Sequence, residues 1–163
     1  MEAVLEQQIR LRIAEEKART QPPPEAVPVP LIPTERYVDP AFHALERERV
    51  FARSWLFVGH ESEWPGSGSY RQYSRSGSPI VVVRGEDTQL RAFYNACRHR
   101  GAPVTRDVCG TARRLTCQYH SWSYGTDGEL KAVPDARSFA GLDTGELGLV
   151  PVRCERWEGW VFV

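Results

Sequence analysis

Between Cys97 and Tyr124 the chain reads CRHRGAPVTRDVCGTARRLTCQYHSWSY, a stretch that holds two of its four histidines and three of its four cysteines. Cys97 and His99 form C-x-H. Cys117 and His120 form C-x-x-H, with seventeen residues between His99 and Cys117. Each pair offers one thiolate and one imidazole, the donors that soft and borderline metals prefer. One Zn²⁺ accepts two sulfurs and two nitrogens in a tetrahedron, but structural zinc sites usually pair Cys with Cys in a tight knuckle and His with His on a helix. Mixed pairs repeated on two loops suit a two-metal centre, in which each loop gives sulfur to one iron and imidazole to the other. A structural zinc module remains the alternative.

The elements that must position these residues are legible on both sides. From Trp55 onward the chain breaks into short β-rich runs: WLFVGH, SYRQYS, PIVVVRG, LRAFYNA, RRLTCQYH, ELKAVP, LVPVRCERW and GWVFV. Punctuated by Gly, Pro, Asp and Ser, they predict an antiparallel sandwich or small barrel. GEDTQ after Val83 and GTDGE after Tyr124 are the clearest hairpin turns, since Asp and Gly supply the dihedrals such turns need. Upstream, Asp39 before Pro40 is an N-cap before a first helical position and starts a helix over 39–54. In residues 21–34, PPPEAVPVPLIP at their heart, the prolines remove amide donors and fix φ, so the segment reads as an extended linker. Residues 1–20 carry Val4, Leu5, Ile9 and Ile13 at helical spacing, a narrow amphipathic arm that packs on its own domain or docks on a partner subunit. No internal repeat is evident.

Composition removes several function classes. With 21 basic and 21 acidic residues in 163, and no block of like charge, nothing points to nucleic acid. No apolar run approaches the roughly 20 residues of a membrane span, and the N-terminus lacks the apolar core of a signal peptide. A cytoplasmic location is expected, where thiols stay reduced and Cys mixed with His reads as metal ligation rather than disulfide pairing. Cys109 and Cys154 read as buried or incidental thiols.

The residues CRHRGAPV, CQYHSWSYGTDGEL and the following AVPD resemble the N-terminal Rieske [2Fe–2S] domain of ring-hydroxylating oxygenase α subunits. The resemblance extends from IPTERYVDPAFHALERERVFARSWLFVGHESEWP to the final EGWVFV. It implies a mainly β protein: a Rieske-type antiparallel β-sandwich over 35–163 with cluster-binding loops 95–105 and 117–125, preceded by N-terminal helices. It implies a [2Fe–2S] cluster held by Cys97 and Cys117 on one iron and His99 and His120 on the other. Around these, Trp122 and Tyr124 could shield the cluster or give a hydrogen bond to a sulfur. Arg98 and Arg100 could attract an acidic electron donor and orient the loop. High-potential respiratory members add a cysteine to each loop and join the loops by a disulfide. Here those positions fall in Gly101-Ala102-Pro103 and at Tyr119, so a potential in the lower part of the family range is expected. Two departures are visible: Gln118 where the family often has Pro, and Ser121 where it often has Gly.

In the resembling α subunits a second domain holds a mononuclear Fe(II) on two His and a carboxylate. His43 and His60 form no comparable pair in this chain and read as structural or surface residues, so the catalytic domain is expected to be absent. The chain then reads as the front part of a longer subunit. The resemblance implies a ferredoxin or reductase as electron donor, and a catalytic domain or neighbouring α subunit, in a homotrimer in similar proteins, as recipient. A free-standing Rieske ferredoxin is a further reading, against which the fifty-residue leader argues.

Overall fold

The computed structural model describes residues 2–22, 30–75, 77–139, 141 and 143–163, in two compact units, 1–38 and 39–163. In the first unit α1 spans Glu2–Ala18. Its surface ion pairs, Arg10 with Glu6 at 2.8 Å and Arg19 with Glu16 at 2.9 Å, each contribute a few tenths of a kcal/mol. Val4, Leu5, Ile9 and Ile13 are all exposed. A four-residue helix, α2 (Glu35–Val38), closes this unit. Half of the expected linker, residues 23–29, lies outside the described residues; 30–33 have no regular structure.

The second unit opens with α3 (Pro40–Arg49). Asp39 holds an extended conformation and its carboxylate accepts the Ala41 amide at 2.9 Å, while Pro40 occupies a first-turn position that needs no donor. The expectation that this helix runs to residue 54 is corrected. It stops at Arg49, and Phe51–Arg53 form a 3₁₀ turn. β-branched Val50 and aromatic Phe51 lose side-chain freedom in a helix. The chain must also extend by Leu56, which exchanges backbone hydrogen bonds of 2.8 and 3.0 Å with Val163.

Among the described residues eleven strands follow: β1 (Phe57–His60), β2 (Ser69–Tyr73), β3 (Ile80–Arg84), β4 (Leu90–Tyr94), β5 (Cys109–Thr111), β6 (Leu115–Thr116), β7 (Ser123–Tyr124), β8 (Leu130–Ala132), β9 (Pro151–Val152), β10 (Glu155–Trp157) and β11 (Trp160–Phe162). They form three antiparallel sheets, ordered β1-β11-β10, β5-β2-β3-β4-β9 and β6-β7-β8. The run LVPVRCERW does not make one strand. It divides into β9 in the central sheet and β10 in the first. β5 lies outside the runs read from the sequence.

The alternation of β3 organises the interior, because both its faces are buried and its sequence is a continuous apolar run. Val81 and Val83 join one core with Phe93, Leu115, Trp122 and Tyr124. Ile80 and Val82 join the other with Trp64, Leu90, Ala92 and Val161. The turns GEDTQ (β3 to β4) and GTDGE (β7 to β8) close alike. In each, the first glycine donates to the carbonyl four residues on, Gly85 to Gln89 at 2.8 Å and Gly125 to Glu129 at 2.9 Å. The fourth residue has positive φ, Thr88 at 67° and Gly128 at 88°. The Asp side chain accepts the amide two residues later, at 3.2 and 3.0 Å.

Candidate metal centre

Loop one leaves β4 at Tyr94 and loop two joins β6 to β7, so the β6-β7-β8 sheet and the central sheet each present one ligand loop. The loops share a backbone design. The amide of Cys97 donates to the Ala102 carbonyl at 2.8 Å and Gly101 donates back to Cys97 at 2.8 Å; Cys117 donates to Trp122 and Ser121 donates back to Cys117, both at 2.9 Å. The fifth residue of each turn is left-handed, Gly101 at φ 73° and Ser121 at φ 58°. Ser121, one of the two departures noted from sequence, therefore occupies a conformation that suits glycine.

This shared turn buries both thiols. Cys97 is 4% exposed and Cys117 2% exposed, both within the core that contains Leu115 and Trp122. The imidazoles point outward: His99 is half-buried and His120 exposed. Their ring centroids lie 4.7 Å apart. Trp122 stacks on His99 at 5.0 Å with planes 9° apart, and Tyr119 lies 3.9 Å from His120. Desolvation, then the positive neighbours His120 and Arg100, hold the His99 imidazole below its ordinary range, which favours the neutral form that ligates metals.

The residues expected around the ligands take distinct parts. Tyr124, fully buried, places its hydroxyl 3.2 Å from Cys97 Sγ and accepts the Arg98 amide at 3.0 Å. Burial, and after it the thiol neighbour, push its phenol well above the ordinary tyrosine range, so it stays a donor. Arg98 contributes through its backbone; the side chains of Arg98 and Arg100 are exposed, as is Tyr119. Two residues escaped the sequence reading. Phe139, from a 3₁₀ turn over Ala136–Phe139, meets the edges of His99 and Trp122, each at 5.6 Å. Asn95 is 2% exposed; its Oδ1 accepts Val104 and Thr105 amides at 2.9 and 3.0 Å, and its Nδ2 donates to the Thr105 carbonyl at 3.1 Å. That clamp closes loop one behind Cys97. An asparagine two residues before a candidate ligand was the available signal.

The other candidates lie elsewhere. His43 is exposed on α3, and His60 caps the 3₁₀ turn Glu61–Glu63, bonded to Ser62 at 2.9 Å. Cys109, read as buried or incidental, is exposed on β5. Cys154 is half-buried and its thiol is pushed up to about 11 by burial.

The donor set fits a [2Fe–2S] group. Soft sulfurs sit in an apolar interior beside a hydroxyl donor, and imidazoles stand at the surface. Among the described residues no three His, Cys, Asp or Glu side chains converge on one ion, and a two-iron group asks only two protein ligands of each iron.

Comparison with known proteins points the same way. The family described as Rieske [2Fe-2S] domain matches residues 54–151. The benzene 1,2-dioxygenase subunit alpha of Pseudomonas putida is 44% identical over 127 residues, 77% of this chain and 28% of that protein. The carnitine monooxygenase oxygenase subunit of Escherichia coli strain K12 is 39% identical over 132 residues, 81% of this chain and 35% of that protein. The apo crystal structure of a quaternary ammonium Rieske monooxygenase superposes with a TM-score of 0.74 at 34% identity, covering 81% of this chain and 38% of that one. The chain thus spans roughly a third of the length of these proteins.

Proposed function

The chain belongs to the Rieske [2Fe–2S] domain family, and from that premise we propose that it is the electron-relay portion of a ring-hydroxylating oxygenase α subunit. In this reading Cys97 and Cys117 hold one iron and His99 and His120 the other. When bound, the cluster supplies a one-electron couple in which the imidazole-held iron carries less negative charge and takes the electron. The observation that carries the reading is the pair of equivalent turns, each burying one thiol and turning one imidazole to the surface.

The chain's own side chains do the rest. The core around Cys97 and Cys117 keeps water from the sulfurs. Tyr124 donates toward Cys97 Sγ and is itself fixed by the Arg98 amide. Trp122 and Phe139 hold the His99 ring in one orientation, and exposed His120 beside it marks the surface from which an electron would leave. Arg98 and Arg100 add positive charge there, which steers an acidic donor such as a ferredoxin or reductase.

The benzene 1,2-dioxygenase relative supports an aromatic-ring-hydroxylating system, in which the electron passes to a mononuclear Fe(II) on a catalytic domain or neighbouring α subunit. A carnitine monooxygenase subunit is matched as well, so substrate choice is assigned to the portion these proteins have beyond this chain. Among the described residues no helix is long and apolar enough to cross a membrane. The test is iron and acid-labile sulfide analysis with visible absorption of the matured chain. Two irons and two sulfides per chain are expected; one zinc and no sulfide would overturn the reading.

A further inference from the structure

The two matching turns, GEDTQ and GTDGE, both line one cavity of about 360 Å³, a volume in the range of small-molecule sites. Each turn neutralises its own aspartate in the same way, with a cation four residues on. Asp87 accepts both terminal nitrogens of Arg91, at 2.8 and 2.5 Å, and Asp127 accepts Lys131 at 2.9 Å. The Arg91 fork draws the Asp87 carboxyl down to about 2, so that pair is intact at neutral pH. Both carboxylates fold over their glycines: a Cβ at Gly85 or Gly125 would lie 2.5 or 2.3 Å from the aspartate oxygen of its own turn.

A third wall comes from the segment between β5 and β6. Consecutive residues of a strand point to opposite faces, but the chain bends at Arg113 and Arg114, and both line the cavity. The bend is fixed at each end: the Ala112 amide donates to the Gly68 carbonyl at 2.9 Å, and Leu115 is buried in the core. Among the described residues neither arginine makes an ion pair or a side-chain hydrogen bond. Four basic and three acidic side chains line the cavity; with two of each paired, two free guanidiniums stand against the single carboxylate of Glu86. Thr126 lies deeper, 7% exposed. Its hydroxyl has no hydrogen-bond partner among the described residues, and no fully buried side-chain oxygen there lacks one, so this hydroxyl is reached by solvent, at a residue that lines the cavity. Guanidinium forks match the oxygens of carboxylates and phosphates, and a hydroxyl adds a further donor.

We propose that this cavity binds a small oxyanion, a phosphate group or a dicarboxylate, gripped by the Arg113 and Arg114 guanidiniums and the Thr126 hydroxyl. Arg91 and Lys131, each held by an aspartate, form walls rather than the grip. The site shares no residue with the metal centre. It lies at the open end of the β6-β7 hairpin, whose closed end carries Cys117 and His120, so an anion there and a cluster on the ligand turns do not compete, and the site does not depend on the electron-relay reading.

The test is calorimetric titration of the full chain with inorganic phosphate and, separately, with succinate, against chloride at matched ionic strength. Saturable binding of one anion per chain is expected, and the tighter of the two probes names the ligand class. Arg113→Gln with Arg114→Gln should weaken it about tenfold or more, since two charge-assisted contacts are lost, and Thr126→Val should weaken it several-fold. Both arginines are exposed, so the double variant should keep the parent's Tm and its cluster absorbance. No saturable heat from either probe beyond that of chloride overturns the proposal, as does undiminished affinity in the double arginine variant. Phenylglyoxal labelling read by mass spectrometry needs no variant. The tighter probe should slow modification of Arg113 and Arg114 several-fold while exposed Arg12 on α1 reacts as before; equal rates at all three with and without the probe overturn the site.

Discussion

Replacing Tyr124 by Phe removes one hydroxyl and keeps the ring that fills the core. The hydroxyl lies 3.2 Å from Cys97 Sγ and accepts the Arg98 amide at 3.0 Å. A hydrogen bond to a charged acceptor is worth about 1.5–3 kcal/mol net. It stabilises the reduced centre more than the oxidised one, because reduction adds negative charge that the sulfurs share. The electron resides mainly on the imidazole side, so only a fraction of that energy, about 0.5–1.5 kcal/mol, separates the two redox states. At 59 mV per tenfold for one electron and about 1.4 kcal/mol per tenfold, the potential should fall by roughly 20–60 mV. The orphaned Arg98 amide should cost about 1 kcal/mol of stability. Protein-film voltammetry on both proteins at matched iron and sulfide content measures the first effect and urea unfolding the second. An unchanged or raised potential in Tyr124→Phe would show that the hydroxyl does not donate to the sulfur.

Four further outcomes are expected. Cys97→Ala or Cys117→Ala should abolish cluster uptake, read as loss of labile sulfide and visible absorbance, since either leaves one iron with a single protein ligand. Ser121→Gly should raise stability by about 0.5–1 kcal/mol, because a left-handed non-glycine residue costs about 1–2 kcal/mol and glycine's extra chain entropy returns part of it; a lower Tm would contradict the strain read at φ 58°. Asn95→Ala should cost about 2–4 kcal/mol in urea unfolding, as the Val104 and Thr105 amides lose their buried acceptor, and cluster retention should drop with it. Alkylation at pH 8 should label Cys109 well before Cys154, whose thiol is pushed up to about 11 by burial and stays protonated there; equal labelling by mass spectrometry would refute the burial argument.

Much of the site was legible in one dimension because its chemistry is local. A thiol and an imidazole two or three residues apart must share a loop, and loops end strands. The hairpins GEDTQ and GTDGE were readable for the same reason, since Asp and Gly at fixed offsets decide a turn within five residues. The capped start of α3 needed only Asp39 and Pro40. Its end was not legible, because Leu56 is drawn straight by pairing with Val163 at the far end of the chain.

What the tertiary structure decided is everything that joins distant residues. The sequence pairs Cys97 with His99 and Cys117 with His120 as candidate ligands. Only the fold showed the two turns to be equivalent in hydrogen bonding, with Ser121 standing where Gly101 stands. Only packing set the Tyr124 hydroxyl against Cys97 and the Arg98 amide, across 27 and 26 positions, and stacked Trp122 on His99. Asn95 reads as an ordinary polar residue until burial makes its three hydrogen bonds costly to lose. Nothing in the runs LVPVRCERW and GWVFV says that Trp157 and Trp160 are exposed; the register of β10 against β11 turns them outward. Local propensity and spacing act through a few covalent bonds and survive in sequence; burial and cross-strand contact depend on which segments meet, a choice made by the whole chain at once.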